Sequence, residues 1–192
     1  MRQRLFSAAA TGVLALSAGA ASADGLSYSY LEPRWAATEL EDDTFDIEGD
    51  GFVFNGSLEF SETVHLFVGY ESLEFDDNVD VSTRLIGGGI AVPLSPRADL
   101  VFRGGFVDAE FETPFFSDDD EGTFLSAGAR VLVTPEIELY GDFRSINLDD
   151  AGDEESTTVG LEFYASDSFS VGPSVTWVDD VTTYTLGGRI YF

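Results

Sequence analysis

The chain has 192 residues, of which 36 are acidic and nine are arginines, for a formal net charge of −27 at pH 7. This charge excludes nucleic acid as a plausible partner, and the absence of cysteine excludes disulfides, thiol catalysis and cysteine-based metal sites. Yet 44% of the residues are hydrophobic and 17 are phenylalanines, which a disordered acidic chain would not show. Acidic and aromatic residues must therefore be segregated along the chain.

The N-terminus is typical of a secretory signal peptide. Arg2 and Arg4 precede an apolar stretch at 5–16, and Ala21-Ser22-Ala23 fits a small-residue cleavage site. The apolar stretch is shorter than the roughly 20 residues that a membrane-spanning helix needs. We therefore expect residues 1–23 to be removed and residues 24–192 to form a single domain.

Beyond the signal, apolar residues recur with a period of two, which is typical of strands. On one predicted strand, Phe52 and Phe54 occupy one face while Asn55 and Glu59 occupy the other. The pattern predicts ten strands, at approximately 26–38, 51–61, 64–75, 81–94, 98–111, 122–133, 136–147, 156–165, 169–179 and 182–192. Eight strands remain an alternative if the pair at 156–179 lies differently.

The predicted connections alternate between two kinds. Tight turns are predicted at 61–63, 95–97, 134–135 and 166–168. Longer, acid-rich loops are predicted at 39–50, 76–80, 112–121 and 149–155, with a short acidic connection at 179–180. Because alternate connections of a meander lie at opposite ends, nearly all loop acids collect at one end.

Alternation alone would also fit a water-soluble barrel or sandwich. Short turns at one end, longer loops at the other and an even strand number are instead typical of bacterial outer-membrane barrels, whose apolar face contacts lipid. We therefore predict an all-β, closed antiparallel up-and-down transmembrane barrel. Its expected partners are outer-membrane lipid and lipopolysaccharide.

The last predicted strand ends on an aromatic residue. A C-terminal strand of alternating hydrophobic residues that ends in Phe resembles the signal by which the barrel-assembly machinery recognises its clients, so this machinery is an expected partner during biogenesis. The third-last position of that signal is often aromatic and is isoleucine here. The residues that match it share one face: Tyr184, Leu186, Ile190 and Phe192.

Five further segments carry a wider resemblance, at 25–32, 50–52, 93–95, 134–139 and 186–192. In these segments the chain resembles a widespread family of small outer-membrane β-barrel proteins, within the broad OmpA-like or porin-like superfamily. The resemblance implies a fold and a location. It brings no catalytic residues with it.

Sorting charged residues by strand face predicts a charge network in the barrel lumen. Its members are Glu59, Arg103, Arg130, Glu138, Asp142, Arg144, Glu162 and Arg189, and the same pattern adds Glu71. A barrel of eight to ten strands has a narrow interior, where unpaired charges are costly. We interpret the network as a polar plug that fixes strand register, with a narrow charge-gated pore as the alternative.

Acidic runs in the predicted loops suggest cation binding. The candidate ligands are Asp42, Asp43, Asp46, Asp118, Asp119, Asp120 and Glu121. None of these runs has the spacing of an EF-hand loop. A solvated, self-repelling surface and weak binding of Ca²⁺ or Mg²⁺ are the two interpretations, and we predict no firm metal site and no other cofactor.

The single histidine, His65, follows the predicted turn at 61–63 and lies far from the acidic loops. Without a second histidine or a cysteine, the common nucleophile–base pairs lack their base. We therefore predict a non-enzymatic barrel with a structural or weak small-solute, porin-like role. The alternatives are a surface-binding module or adhesin, which engages divalent cations, lipopolysaccharide or another cell through its acidic loops, and, less favoured, a rim lipid hydrolase.

Overall fold

The computed structural model describes residues 26–41, 46–75 and 79–192. The predicted signal peptide lies outside these residues and stays a prediction. Within the described residues no helix is long and apolar enough to cross a membrane.

Ten antiparallel strands form one closed barrel. They are β1 (Tyr30–Glu41), β2 (Asp46–Glu59), β3 (Val64–Phe75), β4 (Val79–Ser95), β5 (Ala98–Thr113), β6 (Phe116–Thr134), β7 (Ile137–Leu148), β8 (Gly152–Ser166), β9 (Phe169–Val178) and β10 (Val181–Tyr191). Each strand pairs with its neighbours in sequence, and β1 pairs with β10. The predicted all-β barrel and its strand number are confirmed, and the eight-strand alternative is wrong.

The outside of the barrel carries a continuous apolar band. On β3, for example, Val64, Leu66 and Val68 are exposed while the alternate residue His65 is buried. Among the described residues, outward-facing charges begin only beyond this band, as with Glu74 at the far end of β3. An uncharged band on every strand is the surface that contact with lipid requires.

The two ends of the barrel differ. Four short turns lie at one end, here called the short-turn end, at 60–63, 96–97, 135–136 and 167–168. The opposite end, here called the acidic end, holds the other five connections; those at 42–45 and 76–78 lie outside the described residues. Successive connections therefore alternate between the two ends as predicted, but the described ones at the acidic end, at 114–115, 149–151 and 179–180, are no longer than the turns at the other end.

The predicted acidic loops are shorter than expected. The loop predicted at 112–121 is mostly a hairpin, in which β5 and β6 pair as far as Thr113 and Phe116. Likewise β1 continues to Glu41 and β2 begins at Asp46. Acidic residues have low strand propensity, but pairing with a neighbouring strand satisfies the backbone groups and extends the ladder. The loop lengths inferred from the acidic composition were therefore too long.

Candidate functional site

Three arginines and three glutamates fill the lumen near the short-turn end. We call them the floor cluster; its members are Glu32, Arg34, Arg130, Glu138, Glu162 and Arg189. None of the six is more than 5% exposed. They project inward from β1, β6, β7, β8 and β10. Because the two signs are equal in number, the cluster is neutral as a whole, which burial at this depth requires.

Glu138 holds one half of the floor cluster. Its carboxylate accepts hydrogen bonds from Arg130 Nε at 2.8 Å and Arg130 Nη2 at 2.9 Å, a two-point contact that suits the guanidinium fork. It also accepts one from Arg189 Nη1 at 3.1 Å and one from the Tyr164 hydroxyl at 2.5 Å. All the charge on Glu138 is therefore matched inside the protein.

The other half of the floor cluster crosses the junction of the first and last strands. Arg34 Nε donates to Glu32 Oε1 at 2.7 Å, and Arg189 Nε donates to the same oxygen at 3.0 Å. Arg34 Nη2 also donates to Glu162, whose second oxygen accepts a hydrogen bond from the Ser170 hydroxyl at 2.7 Å. The ion pairs thus bind β1, β8 and β10 together.

Glycines on the inner wall make room for these side chains. A Cβ atom at Gly187 would overlap Arg34, and one at Gly160 would overlap the ring of Tyr140. The Tyr140 ring in turn lies 4.8 Å from Arg189 Cζ, within the range of a cation–π contact. The large polar groups of the floor therefore fit because facing positions have no side chain.

The segment 26–29, which we call the N-terminal segment, turns into the lumen. Tyr28 stacks on His65 with ring centroids 4.8 Å apart, and its hydroxyl donates to Asp99 at 2.9 Å. Arg130 Cζ lies 4.7 Å from the Tyr28 ring centroid. These partners lie on β3, β5 and β6, none of which is a neighbour of β1. The N-terminal segment therefore reaches across the lumen to the opposite wall.

This course corrects the strand predicted at 26–38, which begins only at Tyr30. Alternating Ser and Tyr residues fit a strand, but Tyr28 gains buried stacking and a hydrogen bond by leaving the sheet. His65 takes part in this packing and is only 1% exposed.

Above the floor cluster the lumen contains a cavity of about 230 Å³, whose lining reaches up to Glu154 near the acidic end. Its wall carries Glu71 from β3, Arg103 from β5, and Asp142 and Arg144 from β7. Arg103 Nη1 and Asp142 Oδ2 are 3.7 Å apart, which is a looser ion pair than those of the floor cluster.

The predicted network residues divide into three groups. Arg130, Glu138, Glu162 and Arg189 meet in the floor cluster. The others that line the cavity are Glu71, Arg103, Asp142 and Arg144. Glu59 departs from the expectation: it lies in register with His65 on the inner face, but at the mouth of the barrel, where it is exposed.

Sequence reasoning missed Glu32 and Arg34, which carry half of the floor cluster's contacts. The signal was present, because these two residues alternate with the outward-facing Leu31 and Trp35. It also missed the contact between Tyr28 and Asp99, which no strand pattern encodes.

The candidate cation ligands are not gathered at one point. Asp42 and Asp43 lie outside the described residues, and Asp46 begins β2. The run from Asp118 to Glu121 lies in β6, so its successive side chains point to opposite faces. Within the described ranges no three His, Cys, Asp or Glu residues are placed to hold a metal ion.

Asp120 has a structural contact of its own. Its carboxylate accepts hydrogen bonds from the backbone N–H groups of Asp150 and Ala151, the latter at 2.8 Å. It therefore ties β6 to the connection between β7 and β8.

The proposed assembly signal lies on the last strand. Tyr184, Leu186 and Ile190 are exposed on the outer face of β10, and Phe192 follows its end. Its recognition by the assembly machinery stays a prediction.

The chain is similar to several solved structures at low sequence identity. The translocator domain of autotransporter NalP from Neisseria meningitidis is 8% identical over 85% of this chain and 87% of that chain, with a TM-score of 0.52. OprG from Pseudomonas aeruginosa is 8% identical over 88% and 98% of the two chains, with a TM-score of 0.48. Ail, the attachment invasion locus protein of Yersinia pestis, is 17% identical over 85% and 97%, with a TM-score of 0.39.

No curated protein sequence matches the chain significantly. A family profile does: residues 6–175, well over half of the chain, match the outer membrane protein beta-barrel domain. The match agrees with the closed barrel and its uncharged outer band. The chain therefore belongs to the outer membrane protein β-barrel family, and its place is the bacterial outer membrane.

Proposed function

We propose that this protein is a non-enzymatic outer-membrane scaffold whose lumen is closed at the short-turn end, in preference to a porin that passes small solutes. The floor cluster carries the proposal, because its six charged side chains are almost fully buried and paired with one another. A hydrated ion could pass only by separating them. Breaking one such buried pair costs roughly 3–5 kcal/mol.

The N-terminal segment adds to this closure. Tyr28 and the backbone carbonyl of Ser27, which accepts a hydrogen bond from Arg130 Nη1 at 2.9 Å, cover the floor cluster from the short-turn side. A second layer of packing therefore supports the ion pairs.

The orientation is part of the proposal. The short-turn end faces the periplasm and the acidic end faces outward, as in outer-membrane barrels generally. In that position the exposed acids Asp119 and Glu121 lie where loosely held Ca²⁺ or Mg²⁺ would bridge them to lipopolysaccharide phosphates.

Planar bilayer recordings test the closure. The refolded wild-type protein should insert without conductance steps. The double variant Arg130→Ser/Glu138→Ser removes one balanced pair from the floor cluster and should show discrete steps. Its matched control, Arg84→Ser/Asp108→Ser, removes an exposed pair whose charged atoms are 2.8 Å apart, and should stay silent.

Regular conductance steps from the wild-type barrel would contradict the closed floor. Hydrolysis of outer-membrane lipid by the purified wild-type protein, if His65→Ala abolishes it, would contradict the non-enzymatic role. It would support the alternative of a rim lipid hydrolase.

The β5–β6 hairpin favours a second role, that of a surface-binding module or adhesin. Phe115 at its tip is 98% exposed, next to the exposed Phe116, and the strands behind it carry Glu112 and Asp118. An apolar tip on an acidic hairpin suits a partner with a basic rim round an apolar pocket. Cells that display Phe115→Ser/Phe116→Ser should aggregate less than wild-type cells, and equal aggregation would remove this role.

A further inference from the structure

Two opposite charges in the lumen cavity have no ionic partner. Glu71 and Arg144 both line the cavity, and neither has an oppositely charged atom within 4.0 Å among the described residues. Arg144 Nε is buried and also lacks a hydrogen-bond partner. The floor cluster just below is fully paired, so this part of the lumen is built differently.

Glu71 and Arg144 do not form an ion pair with each other, since they project from strands that are not neighbours. Glu71 lies on β3 and Arg144 on β7, with three strands between them on the shorter path round the barrel and five on the longer. Arg144 Cζ lies 5.9 Å from the ring centroid of Phe124, which supports the guanidinium without cancelling its charge. The charged atoms of Glu71 and Arg144 lie more than 4.0 Å apart on different walls of the cavity, so the two residues form no direct ion pair.

The neighbouring ion pair, between Arg103 and Asp142, is longer than the ion pairs of the floor cluster. Arg103 Nη1 lies 3.7 Å from Asp142 Oδ2, and that oxygen has no hydrogen-bond partner. Arg103 Cζ lies 5.8 Å from the Phe67 ring centroid. Above the floor cluster the cavity wall thus carries two arginines and three acids, Glu71, Asp142 and Glu154. Both signs have hydrogen-bonding capacity left over, at Arg144 Nε and Asp142 Oδ2.

The acidic end limits which solutes reach these groups. Acids at the rim attract cations and repel anions. A simple anion would be repelled there, and a simple cation would meet Arg103 and Arg144 inside. A molecule with both an ammonium and a carboxylate satisfies the rim and the interior together.

We propose that the cavity binds a small zwitterion, with its carboxylate on Arg144 and its ammonium on Glu71. The inference rests on the closed floor proposed above, which makes the cavity a cup and not a passage. The cavity volume of about 230 Å³ is that of roughly eight waters in the liquid, enough for a solute of similar atom count.

Equilibrium dialysis of the refolded barrel in a nonionic detergent tests the proposal with three probes of one chain length. 5-Aminovalerate carries both charges, valerate only the carboxylate, and n-pentylamine only the ammonium. The zwitterion should bind at least about tenfold more tightly than either of the others, because it alone engages both walls.

Two variants test the contributions of the two charged side chains separately. In Arg144→Gln, 5-aminovalerate should lose its advantage over n-pentylamine, and in Glu71→Gln it should lose its advantage over valerate. Arg84→Gln, which removes an exposed arginine outside the cavity, should bind all three probes as wild type does. The heat-dependent shift of folded barrels in gel electrophoresis verifies that each variant is folded.

Equal binding of the three probes to the wild-type barrel, or no binding of 5-aminovalerate, would overturn the proposal without any variant. So would an unchanged preference in both Gln variants. Bilayer recordings on the same preparation keep the two ideas distinguishable, since conductance contradicts the closed floor whereas dialysis reports on the cavity alone.

Discussion

Gly160 on β8 lies in register with Tyr140 on β7, and the Tyr140 ring occupies the space that a side chain at position 160 would fill. The same ring lies 4.8 Å from Arg189 Cζ. The absence of one side chain thus places the aromatic surface on which the floor cluster rests.

Replacing Gly160 with Ala should therefore destabilise the barrel by about 1–3 kcal/mol, the usual cost of overpacking. Denaturant unfolding of the refolded protein measures the change. Gly141→Ala is the matched control, since its Cβ would meet only the Thr158 carbonyl oxygen at 3.6 Å. Equal stability of the two variants would show that Tyr140 can move without loss.

Neutralising Glu138 should lower the free energy of unfolding by more than Gly160→Ala does. Glu138→Gln leaves Arg130 and Arg189 with one carboxylate fewer, so the buried floor cluster gains a net positive charge. We expect a loss of about 3–5 kcal/mol in the free energy of unfolding. Glu155→Gln, on an exposed acid near the acidic end, should change it by less than about 0.5 kcal/mol. A mild effect of Glu138→Gln would mean that water reaches the cluster.

The N-terminal segment gives a graded series at Tyr28. Tyr28→Phe keeps the stack on His65 but leaves Asp99 without its donor, for an expected loss of about 1–3 kcal/mol. Tyr28→Ala removes the ring as well and should cost about 3–5 kcal/mol. Unfolding midpoints rank the variants, with Tyr184→Phe on the outer face as the control. An Ala variant as stable as wild type would show that this segment does not seal the floor.

A charged substitution within the outer apolar band should destabilise the barrel in lipid. Leu66 is 53% exposed in the middle of the band on β3, and Leu66→Arg should lower the free energy of unfolding from lipid by about 2–4 kcal/mol. Glu74→Arg, on the same face at the acidic end, should cost little. If both variants are equally stable in vesicles, the band is not at membrane depth.

Protease accessibility in intact cells tests the orientation. Chymotrypsin should cut after Phe115, which is 98% exposed at the acidic end, and Phe115→Ser should abolish that cut. Trypsin added outside should spare Arg97, which lies in a turn at the short-turn end. The opposite result, cleavage at Arg97 with Phe115 spared, would invert the topology.

The number of strands, and which side chains point outward, were predictable because one physical rule governs every strand. Each outward position meets lipid, so Leu66 and Val68 alternate with His65 and Phe67 and the pattern is read locally. Strand ends were less predictable. Pairing between β5 and β6 extends through acidic residues such as Asp119 that local propensity assigns to a loop.

The site was predictable only in part. That Arg130 and Glu138 point inward follows from alternation. The contact of Glu138 with Arg189 does not, because it depends on how ten strands close on one another. The contacts of Tyr28 could not be predicted from the sequence for a related reason. Its partners His65 and Asp99 lie on distant strands, and only the closed barrel brings them within reach.

The ion pairs across the junction of β1 and β10 have a consequence for the order of folding. Arg130 and Glu138 lie on adjacent strands and can pair in an isolated hairpin. Glu32 can meet Arg189 only once the first strand has reached the last. An open sheet in the bilayer would therefore lack the contacts of Arg189 with Glu32 and of Arg34 with Glu162. Closing the barrel forms these last ion pairs, which gives the final step of folding an electrostatic driving force in addition to the backbone hydrogen bonds.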